Sequence, residues 1–116
     1  MRLKDVQPKE VDPAIKEIIM DFKNKIEEKL GISIQEIIVF GSRARGDHRI
    51  DSDIDLIIIS HNWKGSILDR MKYLYRLWNY KVDATLIPLK PGELERKLHR
   101  SVTIRDAKKY WIHIKF

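Results

Sequence analysis

The feature that most constrains this chain is a pair of short apolar runs joined by a basic, glycine-containing loop. The first run ends in Gly41-Ser42, and the second is opened by Asp53-Ile54-Asp55. Apolar runs rich in β-branched residues and bounded by Gly and Asp predict buried strands. A Gly-Ser turn therefore follows one strand and two carboxylates open the next. The turn suits a phosphate chain, and the carboxylates suit a divalent cation.

Asp53 and Asp55 are candidate metal ligands because a strand places alternate side chains on one face. Their carboxylates should lie about 7 Å apart along the chain, a spacing from which both can reach one or two Mg²⁺ ions. A bound cation would relieve the cost of holding two carboxylates side by side. The alternative is a simple acidic turn at the strand entrance. Against it, Asp55 is expected inside the strand, where Asp is disfavoured.

Two familiar loops are excluded by the residues at their key positions. Leu56 stands where an EF-hand beginning at residue 51 needs Gly, and Asn62 stands where it needs a bidentate Glu. Gly41 and Gly46 have the outer spacing of a P-loop, but the next two residues are not the required Lys and Ser or Thr. The site is therefore predicted to be neither a calcium loop nor a Walker A motif.

The Gly-Ser turn is the candidate phosphate-binding element. Gly41 permits close backbone approach, and the Ser42 hydroxyl with successive N–H groups can hold phosphate oxygens. Arg43 is predicted to contact the phosphates, with solvent exposure as the alternative, whereas Arg49 is assigned to solvent. For the turn itself, the alternative is an ordinary strand-to-helix connection without a ligand.

The remaining elements follow from capping signals and periodicity. Asp12 and Pro13 predict the start of a helix that ends at Gly31, Ser66 predicts the cap of a second helix, and Pro91 starts a third. A further helical turn is expected over residues 103–109. Strands are predicted over residues 34–40, 53–59 and 81–88, and residues 110–116 are either a terminal strand or an apolar tail. This order predicts an α/β sandwich with helices packed on a small sheet.

Length and composition narrow the class of protein. The 116 residues predict a single domain, residues 1–116, with one core. The formal net charge of +6 favours an anionic partner such as a nucleotide, a nucleic acid or an acidic protein face. The absence of cysteines excludes disulfides and thiolate metal sites, and the four histidines lack zinc spacing. With neither a signal peptide nor a membrane-spanning run, we expect a cytoplasmic protein without membrane contact.

The stretch 41–59 resembles the signature of the DNA polymerase β-type nucleotidyltransferase superfamily. Its form, Gly-Ser-Arg-Ala-Arg-Gly followed by Ser-Asp-Ile-Asp-Leu, is especially similar to the minimal nucleotidyltransferases. These are short proteins, often antitoxin partners of small helical HEPN-domain proteins. The resemblance implies an α/β (α+β) fold like the polymerase β palm, with a small mixed β-sheet flanked by helices. It also implies a third carboxylate on a later strand, where Asp83 is the matching position.

The function that the resemblance implies is Mg-dependent transfer of a nucleoside monophosphate, AMP from ATP, to an acceptor hydroxyl. The acceptor would be a tyrosine of a partner HEPN toxin, which would make this chain an antitoxin. Two Mg²⁺ ions are expected. The catalytic residues, which are also the metal ligands, would be Asp53, Asp55 and Asp83. The nucleotide-binding residues would be Gly41, Ser42 and Arg43.

The residues also allow two other functions. In the first, a non-catalytic antitoxin would neutralise its partner by contact alone, with residues 110–116 as an exposed docking patch. In the second, the basic side chains would bind nucleic acid. The sequence argues against nucleic acid because it holds no recognised motif, and because the aromatic residues near the second helix suit a helix core better than a stacking platform. These aromatic residues are Tyr73, Tyr75, Trp78 and Tyr80.

Overall fold

Helix α1, Pro13–Leu30, begins and ends where its capping residues predict. In the computed structural model, which describes residues 11–46, 49, 52–101 and 107–116, the Asp12 carboxylate accepts a hydrogen bond from the Ala14 N–H at 2.9 Å. Gly31 closes the helix in the left-handed conformation. The other elements are β1 Glu36–Phe40, α2 Ser42–Arg45, β2 Ile54–Ile59, α3 Ile67–Leu77, β3 Ala84–Leu89, α4 Pro91–Arg100, a 3₁₀ turn Lys108–Tyr110 and β4 Ile112–Lys115.

The four strands form one mixed sheet in the order β3-β2-β1-β4. Strand β1 pairs antiparallel with both β2 and β4, whereas β2 and β3 run parallel. The expectation of a small mixed sheet flanked by helices is confirmed. Strand β2 lies at the centre and is buried on both faces, as its continuous apolar run predicts.

Each face of the sheet packs against a different set of helices. Buried residues of α1 and α3 join one face of β1, β2 and β3 in the larger core cluster. The opposite face is covered by α4 and by Trp111, which pack in a second, smaller cluster. Among the described helices, none is long and apolar enough to cross a membrane.

The C-terminal segment is a strand and not a free tail. Strand β4 pairs with β1, and both Trp111 and Ile112 are buried. The Lys108–Tyr110 turn overlaps the end of the helical turn predicted for residues 103–109 and extends one residue beyond it. Residues 103–106 of that prediction lie outside the described residues. Of the two possibilities for residues 110–116, a strand or an apolar tail, the pairing of β4 with β1 shows that the strand is correct.

The prediction that Tyr73 and Tyr75 of α3 belong to the helix core is wrong, although Leu74 of the same helix is fully buried. Leu68 is 69% exposed, and Tyr73 and Tyr75 are also exposed, whereas Arg70 is only 4% exposed. By contrast, Trp78 and Tyr80 do join the core, and each packs edge-to-face on Phe22. The assignment failed because helical spacing does not reveal that a charged side chain has a buried partner.

Two side chains of α3, Tyr75 and Arg70, reach the outer edge of β3. The Tyr75 hydroxyl donates to the Ala84 carbonyl at 3.2 Å and accepts from the Leu86 N–H at 2.9 Å. Arg70 Nη1 donates to the Pro88 carbonyl at 3.3 Å. Helix α3 is therefore bound to the backbone of the edge strand as well as to the core.

Candidate active site

The three predicted carboxylates lie where the parallel strands β2 and β3 begin. Asp55 is level with Thr85, and Ile54 is level with Ala84. Asp53 and Asp83 each stand one residue before their strand, so both predicted strands start slightly too early. The Ile54 N–H donates to the Asp83 carbonyl at 2.9 Å, which continues the pairing to this level. The register therefore brings Asp53, Asp55 and Asp83 to the same end of the sheet.

Asp55 carries a charge that its surroundings do not fully compensate. Burial raises the pKa of its carboxyl above the ordinary value, and the neighbouring Asp53 charge raises it further. A hydrogen bond from the Thr85 hydroxyl and the charges of Arg45 and Arg43 act in the opposite direction without reversing the shift. A bound cation would relieve this excess negative charge.

Gly41 packs directly against the Asp55 carboxylate. Its backbone has φ +74° and ψ −155°, a conformation that is essentially restricted to glycine. A Cβ atom at this position would lie 2.0 Å from Asp55 Oδ2, which is closer than atoms can approach. The register explains the contact, because Phe40, the residue before the glycine, pairs with Asp55 across β1 and β2. The two halves of the sequence motif therefore touch each other.

Ser42 opens the four-residue helix α2 and is half-buried. Within the described part of the chain its hydroxyl has no hydrogen-bond partner, so it is available to a ligand. Its role in holding phosphate stays a prediction, as does that of the Gly41 backbone.

Arg43 reaches the loop that carries Asp53. Its Nη2 donates to the Ser52 carbonyl at 2.8 Å, and its Nε donates to the Asp53 carbonyl at 3.3 Å. The guanidinium thereby joins α2 to the backbone that precedes β2. The predicted phosphate contact of Arg43 stays a prediction, and the observed contact is one that positions Asp53.

The residues present suit a hard divalent cation. Carboxylate oxygens are the ligands that Mg²⁺ prefers, and Asp53 and Asp55 lie close enough for the charge of one to raise the pKa of the other. Among the described residues, no group of three or more His, Cys, Asp or Glu side chains is arranged to hold a metal ion. Asp83 is thus brought to the same end of the sheet without forming a three-carboxylate cluster.

Sequence reasoning missed Thr85 and the contact between Gly41 and Asp55. Thr85 follows Asp83 by two residues, so alternation could have placed it on the same face, and the parallel register sets it level with Asp55. Gly41 was assigned to phosphate approach alone, whereas the structure shows that its missing side chain also makes room for Asp55.

The sequence of this chain is similar to those of known proteins. Residues 19–114 match the sequence model of the nucleotidyltransferase domain. A protein of Methanocaldococcus jannaschii described as a "putative protein adenylyltransferase" is 33% identical over 85 residues, which cover 69% of this chain and 58% of that protein. A second so described, from the same organism, is 46% identical over 41 residues, covering 35% of this chain and 41% of that protein. The chain thus spans less than two thirds of the length of these curated relatives.

A solved structure shares the architecture. The crystal structure of a "putative nucleotidyltransferase" from Sulfolobus solfataricus matches with a TM-score of 0.56 and 25% sequence identity. The match covers 78% of this chain and 85% of the other. The likeness therefore extends over most of both chains, beyond the stretch from residue 41 to residue 59.

Proposed function

Because this chain belongs to the family of nucleotidyltransferase domains, we propose that it transfers AMP from ATP to an acceptor hydroxyl and releases pyrophosphate. The observation that carries the proposal is the contact between Gly41 and the Asp55 carboxylate. It supports the proposal because the turn predicted to bind phosphate touches the strand that carries the predicted metal ligands. A triphosphate held at Ser42 would then lie next to the carboxylates.

Asp53 and Asp55 would hold Mg²⁺, with Asp83 as the third ligand at the same end of the sheet, and two ions are expected. When bound, the metal would neutralise the phosphate charge and lower the pKa of the acceptor hydroxyl. Asp55 is suited to this role because burial and the neighbouring Asp53 leave its charge uncompensated. Thr85, which is level with Asp55 on the neighbouring strand, partly offsets this rise in the pKa of Asp55.

The remaining steps belong to this chain's own groups. The Ser42 hydroxyl and neighbouring N–H groups would bind the β- and γ-phosphate oxygens, and the Arg43 clamp would keep Asp53 in place. The acceptor oxygen attacks the α-phosphorus and forms a new P–O bond, while the bond to the pyrophosphate oxygen breaks. Asp83, which is exposed, would take the acceptor proton and pass it to water.

The proposed acceptor is a protein. The matched relatives are described as putative protein adenylyltransferases, which supports ATP as substrate and a side-chain hydroxyl as acceptor. Within that class we propose a tyrosine of a small helical HEPN-type partner, so that the chain acts as an antitoxin. The alternative of an antitoxin acting by contact alone used residues 110–116 as a docking patch. Of that patch, Trp111 and Ile112 are buried, whereas Tyr110 and Phe116 stay exposed.

The test combines the chain with the helical protein encoded next to it, if one is present, and with Mg-ATP labelled at the α-phosphate. We expect the label on the partner and a mass gain of one adenylate. The Asp53→Asn, Asp55→Asn double variant should transfer nothing. Label transfer by the double variant would overturn the mechanism, and binding without any mass gain would favour neutralisation by contact.

A further inference from the structure

A basic groove lies at the end of the sheet opposite the carboxylates. It has a volume of about 960 Å³ and is bounded by the end of α1, by the loop after β2 and by α3. The six residues of β2 separate it from the carboxylate end by about 20 Å. It is therefore distinct from the candidate active site.

The charge of the groove is one-sided. Lys29, Lys64 and Lys90 line it and are exposed, and among the described residues that line it none is acidic. Arg70 also lines it, but Glu93 neutralises this guanidinium through an ion pair of 2.7 Å. Lys29 and Lys64 make no ion pair with any described residue. Lys29 and Lys64 therefore leave an uncompensated positive field over a concave surface, and Lys90, which lies close enough to Glu93 to lower the pKa of that carboxyl, adds to the positive charge of the groove.

The loop that forms the floor is fixed by several hydrogen bonds. Buried Ser60 donates through Oγ to the Ser33 carbonyl, and Asn62 Oδ1 accepts from the Ser33 N–H at 2.9 Å. Trp63 is buried and its Nε1 donates to the Ile58 carbonyl at 3.0 Å. The groove is thus preformed, and its occupant would not have to order it.

Two exposed rings, those of Tyr73 and His61, line the groove beside the lysines. Tyr73 is 49% exposed at the groove, where the sequence had placed it in the helix core. The exposed His61 lines the same groove. Cationic side chains that follow a phosphate backbone, with aromatic rings on which bases stack, are the combination that binds single-stranded nucleic acid. This combination was not visible in the sequence because it depends on Tyr73 facing outward.

We infer that this groove binds single-stranded nucleic acid, with the lysines on the phosphates and Tyr73 stacked on a base. An acidic protein segment would satisfy the lysines equally well. An acidic segment offers no bases to stack on the Tyr73 ring, so nucleic acid is the better fit. The inference is independent of the proposed transferase function, since it involves none of the carboxylates.

The test is fluorescence anisotropy with a labelled single-stranded RNA of about 16 nucleotides, without ATP or metal, between about 50 and 200 mM salt. The Lys29→Ala, Lys64→Ala, Lys90→Ala triple variant should raise Kd at least about tenfold. It should also flatten the slope of log K against log salt by about two. The control triple variant Lys16→Ala, Lys97→Ala, Lys115→Ala has the same net charge and should change Kd less than about threefold.

A second pair of variants tests stacking. Tyr73→Ala should weaken binding by about fivefold or more, and the control Tyr110→Ala, which also removes an exposed ring, should not. Circular dichroism checks that each variant folds. Equal losses in the two lysine triples would overturn the proposal, as would no RNA binding at low salt. Tighter, groove-dependent binding of labelled polyglutamate would also overturn it and assign the groove to an acidic protein surface.

Discussion

Asp55 and Glu93 lie at opposite ends of the sheet, and their pKa values are shifted in opposite directions. At the basic end, the Arg70 side chain donates hydrogen bonds to Glu93 and holds the pKa of that carboxyl below its usual value. At the other end, burial raises the pKa of Asp55, and the neighbouring Asp53 charge adds to the effect. The charge of Glu93 is balanced by Arg70, whereas the charge of Asp55 is only partly balanced by positive groups of the chain.

The difference separates a structural carboxylate from a candidate functional one. Glu93 links α4 to α3, and Arg70 stabilises the ionised form of the Glu93 carboxyl. Asp55 is held in an environment that disfavours its own charge, which is typical of sites that bind a ligand of opposite sign. Removing the charge of Asp55 should therefore lower activity without lowering stability. Removing the charge of Glu93 should lower stability.

The largest expected effect is on activity at the carboxylate end. Asp55→Asn should lower adenylyl transfer by at least about 10³-fold, because the amide is a poor ligand for the proposed metal. The free energy of unfolding in metal-free buffer at pH 7 should not fall, and a rise of up to about 1 kcal/mol is expected because a costly charge is removed. Initial rates and urea unfolding measure both quantities. A loss of stability would break the contrast with Glu93.

The second effect tests the contact between the two halves of the motif. Gly41→Ala should lower the free energy of unfolding by about 3 kcal/mol or more, because the added Cβ meets Asp55 Oδ2 in a backbone conformation that alanine avoids. Gly46→Ala is the matched control, with φ +85° and no atom within 4 Å of the added Cβ. It should cost only about 1 kcal/mol. Equal costs in urea titrations would mean that the Asp55 contact is unimportant.

The third effect separates a loop clamp from a phosphate ligand at Arg43. Arg43→Gln should reduce transfer by about 10- to 100-fold, because the loop carrying Asp53 loses two hydrogen bonds. Arg43→Lys should not restore the rate, since an ammonium group cannot span both carbonyls as the guanidinium fork does. Recovery of kcat by lysine would instead support the predicted phosphate contact. Isothermal titration with Mg-ATP measures the binding component.

The smallest effect concerns stability at the basic end. Glu93→Gln should lower the free energy of unfolding at pH 7 by about 1–2 kcal/mol, because Arg70 is left buried without its partner. The lowered pKa of Glu93 gives stability above its unfolded value, and this is lost as pH falls through the folded value. The difference in the free energy of unfolding between Glu93→Gln and the unsubstituted protein should therefore shrink at acidic pH. The exposed control Glu95→Gln should change stability by less than about 0.5 kcal/mol.

Most of the fold follows from local signals in the sequence. The Asp12 and Ser66 caps, the Gly31 stop and the apolar run of β2 each depend on neighbouring residues, and the structure has all of them. The mixed character of the sheet came from the resemblance, because pairing direction is not encoded in any one strand. Asp53 and Asp55 stand out in the sequence because Asp is disfavoured in and beside apolar strands, whereas Asp83 is implied by the resemblance.

The remaining features depend on distant pairs. Arg70 is buried because Glu93, which is 23 positions away, meets it across α3 and α4. Gly41 meets Asp55 because the register of β1 and β2 aligns the ends of the two runs. Periodicity within one helix carries none of this information.

The contacts of α3 with β3 also determine how the sheet can be extended. The carbonyls of Ala84 and Pro88 and the N–H of Leu86 already have partners, and Pro88 has no N–H to offer. A strand from another molecule would find few free hydrogen-bonding groups on this side. Arg70 and Tyr75 thus protect the protein against intermolecular strand addition at β3, in addition to their part in packing.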